Sequence, residues 1–218
     1  MFTGIIEEIG TITAVEHLSA ITSLSITAEK VLTGMNTGDS IAVNGVCLTV
    51  TETGRNEFKT QIMEVTLRNS SLNSLQRGNN VNLERSLTAI GRFHGHIVTG
   101  HVDAVGTVAM IIATERGIQI WIGAGENIIS QIVLRGSVAI NGVSLTVSDL
   151  REKEFQVSLI PFTINNTCFK GLKTDDLVNI EVDILAKYIF RAAENYYPDR
   201  KERERINIEL LNRSGFAD

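Results

Sequence analysis

Residues 39–50 read DSIAVNGVCLTV, and residues 136–147 read GSVAINGVSLTV. The two stretches lie 97 positions apart (Asn141 against Asn44), and eight of their twelve residues are identical. Ile41 for Val138, Val43 for Ile140 and Cys47 for Ser144 are near-isosteric exchanges. The same step carries Phe58 onto Phe155, Thr66 onto Thr163, and Val81-Asn82-Leu83-Glu84 onto Val178-Asn179-Ile180-Glu181. A step of 96 carries Thr3-Gly4 onto Thr99-Gly100 and Gly10-Thr11 onto Gly106-Thr107. Solenoid units run about 20–50 residues, so this period is that of a small domain: a whole fold is duplicated in tandem. Two pseudo-equivalent sites that have diverged can treat two molecules differently.

Working outward from the repeat, each half reads as short strands between polar, Gly-containing turns. Asn44-Gly45 and Asn141-Gly142 tolerate φ > 0 at both positions and so close tight hairpins. Val46–Thr51 and Val143–Val147 alternate with period two after them. Ile5–Ile12, Leu24–Ala28, Phe58–Met63 and Val81–Arg85 supply further strands, echoed by Phe155–Ile160 and Val178–Val182. Five or six strands in about 90 residues favour a small closed antiparallel barrel, because closure removes exposed edges. The expectation is an all-β protein of two tandem closed or nearly closed antiparallel barrels, residues 1–93 and 94–184, plus a C-terminal α-helical segment, residues 185–218. In that segment Leu185, Tyr188, Ile189 and Ala192 form a helical stripe, which Pro198 ends or kinks. The charged run 199–205 reads as a solvated face, and Ile206, Leu210 and Leu211 resume near-helical spacing. The stripe must bury itself against another subunit or back on the barrels.

Composition excludes several classes. A net charge of −5 and the lack of a Lys/Arg cluster with interleaved aromatics before residue 200 argue against a nucleic-acid partner. The N-terminal MFTGIIEEIG lacks the basic flank and apolar core of a secretory leader. No apolar run approaches the ~20 residues that span a bilayer, so no membrane partner is expected. Two cysteines, Cys47 and Cys168, offer neither a disulfide framework nor metal-ligand spacing. A reduced, cytoplasmic protein is the expectation.

No phosphate-cradling loop or nucleophile elbow is present. Polar residues instead stand at matched places. Thr49, Thr51, Ser144 and Thr146 read most simply as strand hydroxyls, and Cys47 as a small buried hydrophobe. The junction, Gly91-Arg-Phe-His-Gly-His-Ile-Val-Thr-Gly-His-Val-Asp, holds three of the four histidines: His94, His96 and His101. A metal site would need a further carboxylate or thiolate beside them, and Asp103 is the only candidate, so no metal is assigned. These histidines either hydrogen-bond where the barrels meet or serve as acid, base or donor near neutral pH.

MFTGIIEEIG, NGVCLTV, VNLERS, GRFHGHIVTGHVDAVGTV and NGVSLTV, in this order over roughly residues 1–185, resemble riboflavin synthase of the alpha-chain type. The resemblance implies a cofactor-free dismutation of two 6,7-dimethyl-8-ribityllumazine molecules, two per site, by four-carbon transfer. The products would be riboflavin and 5-amino-6-(D-ribitylamino)uracil. It further implies that the two barrels are six-stranded antiparallel Greek keys and that the C-terminal helix holds a homotrimer, with each active site between one subunit's first barrel and its neighbour's second, and lumazine synthase as a candidate partner. Carried over by motif, the first pocket takes Phe2, Gly4, Ile5, Ile6, Cys47, Leu48 and Thr49. It also takes the run Gln61, Ile62, Met63, Glu64, Val65 and Thr66. The second takes Gly100, His101, Val102, Arg135, Ser144, Leu145 and Thr146, with the run Ser158, Leu159, Ile160, Pro161, Phe162 and Thr163. Cys47, His101, Ser144 and Asp183 are the implied catalytic residues. Departures from the family's pattern stand at Val65 and Phe162, where Glu (or, at the second, His) is more usual, at Arg135 for Lys and at His94 for Gly. The alternative of another class is the non-catalytic lumazine protein, which binds one lumazine or flavin.

Overall fold

The computed structural model describes residues 1–17 and 21–196, with the side chains of 194–196 undescribed. The repeat folds as its hairpins require. β1 (Glu8–His17), β2 (Ile21–Thr27), β3 (Ser40–Val43), β4 (Val46–Thr53), β5 (Glu57–Met63) and β6 (Asn80–Arg85) close a barrel in the order β1-β2-β5-β4-β3-β6. β7 (Ala104–Thr114), β8 (Gly117–Gly123), β9 (Ser137–Ile140), β10 (Val143–Leu150), β11 (Glu154–Leu159) and β12 (Leu177–Val182) close a second one with the equivalent order. All neighbours are antiparallel, and even the register irregularities match: Val50/Glu52 in β4 recurs as Val147/Asp149 in β10, and Ile12/Ala14 in β1 as Val108/Met110 in β7. Short helices α1 (Glu64–Arg68) and α3 (Pro161–Asn165) follow β5 and β11, with α2 (Glu126–Ile129) between β8 and β9. Pro161 opens α3, where its missing N–H costs nothing.

Strand alternation sets the faces. In β4 the even-numbered Val46, Leu48 and Val50 are buried while Thr49 is exposed. Leu24, Ile26, Ile41, Phe58, Ile62 and Leu83 join them as the first core, and each is 5% exposed or less. Phe155, Val157, Ile120, Ile122, Val147 and Ile180 are among the buried residues of the second barrel.

The two barrels meet at the hairpins that betrayed the repeat. Asn44, Gly45, Asn141 and Gly142 have φ of 45°, 78°, 47° and 78°, the left-handed pair of a two-residue hairpin turn. A Cβ on Gly45 would lie 2.6 Å from the Gly142 nitrogen, and one on Gly142 would lie 2.8 Å from the Gly45 nitrogen. Only glycine allows this backbone contact. Around it Asn82 Nδ2 donates to Asn141 C=O (3.0 Å), and Asn179 Nδ2 donates to Asn44 C=O (2.8 Å). Their Oδ1 atoms accept from Cys168 N–H (2.7 Å) and Ser71 N–H (2.6 Å). The buried side chains of Asn82 and Asn179 thus have both amide groups paired across the contact in matching fashion.

Residues 1–184 form one compact unit, and α4 (Ile184–Tyr196), from Leu185 onward, belongs to a second. It carries the expected stripe, with Leu185, Tyr188 and Ile189 exposed. Pro198, the charged run and Ile206, Leu210 and Leu211 lie outside the described residues. No helix among the described residues is long and apolar enough to cross a membrane.

Candidate active site

Two segments that belong to neither barrel's strands build the site. The first strap, Phe2-Thr3-Gly4, pairs with the second, 96–100: Phe2 N–H donates to Val98 C=O (2.7 Å), and Val98 N–H to Phe2 C=O (3.1 Å). Phe2 is fully buried with Val98 against Ala42 and Ala139, whose small side chains leave room for it. Thr3 N–H and Oγ1–H donate to Glu84 Oε1 (2.7 and 2.8 Å), and Gly4 N–H donates to Oε2 (3.0 Å). Thr99 and Gly100 bind Glu181 in the same way, at 2.6, 2.7 and 3.0 Å.

The straps then cross. Gly4 C=O accepts from the N–H of Ser144 in the second barrel (2.8 Å), whereas Gly100 C=O accepts from the N–H of Cys47 in the first (2.9 Å). A Cβ on Gly4 would fall 2.5 Å from Ser144 Cβ, and one on Gly100 2.5 Å from Cys47 Cβ. Val102 packs on the first barrel's core. The grouping expected from chain order, with Gly4–Ile6 beside Cys47 and Gly100–Val102 beside Ser144, is therefore reversed. Each strap lies against Cys47 or Ser144 of the barrel that does not hold its carboxylate clamp.

On the first barrel, Cys47 and Thr49 turn outward from β4, and Thr49 pairs with exposed Gln61 on β5. Exposed Met63, Glu64 and Val65 continue that surface, Glu64 paired with Arg68 along α1, and Thr66 is half-buried. Gly100 adjoins Cys47, and exposed His101 is the next residue along the strap. On the second barrel, half-buried Ser144 and exposed Thr146 turn outward, with exposed Ser158 on β11 donating to Ser148 Oγ (3.2 Å). Ile160, Pro161 and Phe162 are exposed beyond it, and Thr163 is half-buried. Leu48, Ile62, Leu145 and Leu159 are instead buried side chains, so only their main chain is available to a ligand. A cleft of about 470 Å³ opens between Thr114–Arg116, Ile118 and Gln119 on one side and Ser158–Ile160 on the other. Exposed Arg135 sits in a positive-φ turn ahead of β9, its N–H donating to Val147 C=O (2.9 Å). Ile5 is exposed and Ile6 half-buried past the first strap.

His96 is the residue that sequence reasoning left out of the site. Its Nδ1 lies 2.7 Å from Ser144 Oγ, in a hydrogen bond whose donor the tautomer decides, and its N–H donates to Thr3 C=O (3.2 Å). Its Nε2 is buried with no hydrogen-bond partner. Burial pulls the His96 pKa below its ordinary value, against the opposing pull of Asp183, which follows β12. Near pH 7 the imidazole is therefore neutral and able to exchange a proton with Ser144. The crowding of three histidines into eight residues was the available signal; which of them reaches a strand hydroxyl depends on the crossing. Burial pushes the Cys168 thiol up to about 12. Among the described residues no three His, Cys, Asp or Glu side chains gather as a metal site would require.

The lumazine-binding domain family matches the chain twice, at residues 3–86 and 99–183. The riboflavin synthase of Bacillus subtilis is 40% identical over 216 residues, covering 99% of this chain and 100% of its own. That of Mycobacterium tuberculosis is 41% identical over 195 residues, 88% of this chain and 97% of its own. Among solved structures, LumP complexed with riboflavin is similar with a TM-score of 0.77 and 26% identity, over 84% of this chain and 99% of LumP. LumP complexed with 6,7-dimethyl-8-(1'-D-ribityl)lumazine, at 24% identity and a TM-score of 0.76 over the same shares, shares the fold.

Proposed function

We infer the activity from one premise: this chain belongs to the lumazine-binding domain family and, within it, to the riboflavin synthases. It is a transferase that dismutates two molecules of 6,7-dimethyl-8-ribityllumazine, moving a four-carbon unit from one to the other. Riboflavin and 5-amino-6-(D-ribitylamino)uracil result. The observation that carries this reading is the pair of crossed sites, alike in backbone and unlike at Cys47 and Ser144. One compound is wanted in both, once as donor and once as acceptor.

The lumazine 7-methyl is acidic because its carbanion delocalises into the ring, so the protein's work is placing two rings face to face and moving protons. One lumazine lies against Cys47–Thr49, Gln61–Thr66 and the strap Gly100–Val102. The other lies against Ser144–Thr146, Ser158–Thr163 and Gly4–Ile6, with Phe2 buttressing both straps and Arg135 at the edge. Strand N–H and C=O groups pair with the pyrimidinedione, and hydroxyls with the ribityl chain. Ser144 Oγ exchanges a proton with the His96 imidazole, whose protonated form the Asp183 carboxylate favours. His101 serves the Cys47 side.

The donor and acceptor surfaces come from neighbouring chains of a homotrimer. Exposed Met63 and Val65 on one barrel, and Ile160 and Phe162 on the other, support this, since such apolar side chains are covered when a partner closes over them. The exposed stripe of α4 is the proposed trimer contact. The domains divide as 1–93, 94–184 and 185–218, the protein works in the cytoplasm, and lumazine synthase is its proposed partner. Incubation with the lumazine alone tests the reading: riboflavin and the pyrimidine accumulate in equal amounts. A ligand that stays bound and fluorescent while no riboflavin forms would make the chain a carrier of the lumazine-protein kind.

A further inference from the structure

Two buried carboxylates have no part in the chemistry above. Glu84 is 4% exposed and Glu181 3% exposed, and neither forms a salt bridge among the described residues. Such a charge is costly to bury, and each is held only by three donors from a Thr-Gly pair. The geometry of those donors is specific. Both oxygens are committed as acceptors, one to Thr N–H and Oγ–H and the other to Gly N–H, so a primary amide in the same place would set an NH₂ against an N–H. An anchor that only tied down a strap would need no such arrangement.

What the glycines do next gives the clamps a purpose. Gly4 is held at its N–H by Glu84, and its C=O holds the N–H of Ser144. Gly100 is held at its N–H by Glu181, and its C=O holds the N–H of Cys47. One residue therefore separates each carboxylate from a reacting position in the opposite barrel. The φ values of +79° and +82° at these glycines, with the sub-van der Waals space beside Ser144 and Cys47, leave the straps no slack to absorb a displaced clamp. We propose that Glu84 and Glu181 are crossed positioning residues: Glu84 of the first barrel sets Ser144 of the second through Gly4, and Glu181 of the second sets Cys47 of the first through Gly100. The catalytic consequence rests on the lumazine dismutation proposed above; the structural coupling does not. A chain built this way ties the geometry of each pocket to the integrity of the other barrel.

The test uses the full chain labelled with ¹⁵N-cysteine, which gives two backbone amide resonances. Cys47 N–H bonds Gly100 C=O, and Cys168 N–H bonds Asn82 Oδ1. Glu181→Gln shifts the Cys47 resonance upfield as its hydrogen bond weakens and leaves Cys168 in place. Thr99→Val removes one of the three donors without touching the carboxylate and gives a smaller shift of the same sign, so the test survives if the first variant fails to fold. Glu84→Gln lowers kcat by about tenfold or more at saturating lumazine, as expected of a misplaced reacting group. The melting temperature falls as the opposed N–H groups lose their pairing, but at a temperature where both proteins are fully folded the kcat loss persists with KM near wild type, and Glu84→Asp, which keeps both acceptors, restores part of kcat. An unmoved Cys47 resonance in both variants, or a kcat loss that only tracks melting temperature, overturns the proposal. Wild-type protein that makes no riboflavin would sink the dismutation reading and leave the amide result standing.

Discussion

The two barrels share strand order, bulge positions, hairpin turns and carboxylate clamps, yet one presents a thiol where the other presents a hydroxyl backed by an imidazole. Cys47 and Ser144 occupy the same place on β4 and β10, and each donates its main-chain N–H to the C=O of a strap glycine. Only at Ser144 does a histidine nitrogen stand within 2.7 Å of the side chain. The duplication keeps the backbone frame and varies the side chains set on it. Two bound molecules of one compound can thereby meet unequal treatment without any change of fold.

The widest gap between the halves is expected on removing the reacting side chain. Ser144→Ala loses the group that meets His96 and lowers kcat by roughly 10²–10⁴, the range of a general acid–base contribution. Cys47→Ala costs clearly less, and steady-state kinetics of the two variants compare them directly. Equal losses would mean that the imidazole adds nothing. Next comes the axis that makes the halves comparable. Gly45→Ala pushes a methyl into the Gly142 backbone and strains a φ of 78°, so it destabilises by about 2–4 kcal/mol, read as a fall in denaturation midpoint.

Proton chemistry gives a milder test. The His96 pKa lies below the ordinary histidine value of ~6.5 because the ring is buried, so acid inactivation sets in below that pH, at about tenfold per unit. The linked stability change has the same sign: the unfolded chain binds the proton first, and stability therefore declines as pH falls below ~6.5. Profiles of kcat and of melting temperature against pH check both, and His96→Gln removes that acid limb from the residual activity. The smallest effect lies in the cores. Thr60 is fully buried with an unpartnered hydroxyl, while the repeat puts fully buried Val157 at the equivalent place. Thr60→Val therefore stabilises the first barrel by about 1 kcal/mol in chemical denaturation.

Much of this was legible in the chain. The Asn-Gly hairpins and the alternation after them fixed strand identity because they are local, and the step of 97 doubled the answer. Ile5–Ile12 looked like a strand from its apolar content, but β1 begins at Glu8. Ahead of it, the N–H groups of Thr3 and Gly4 are taken by a side-chain carboxylate rather than a neighbouring strand. Which residues of β4, β5, β10 and β11 face outward follows from alternation, which also explains why Leu48, Ile62, Leu145 and Leu159 turn inward. The crossing of the straps could not be read, because Gly4 and Ser144 are 140 residues apart and either barrel offers an equivalent docking place. His96 was missed for the same reason: its partner is chosen by that crossing.

The central claim is that both halves hold the same compound and hold it unequally. A 7-oxo analogue of the lumazine lacks the methyl group the reaction needs, so it can be titrated calorimetrically into the protein without turnover. The account predicts two analogue molecules per chain with distinguishable affinities. Saturation at one per chain would contradict it.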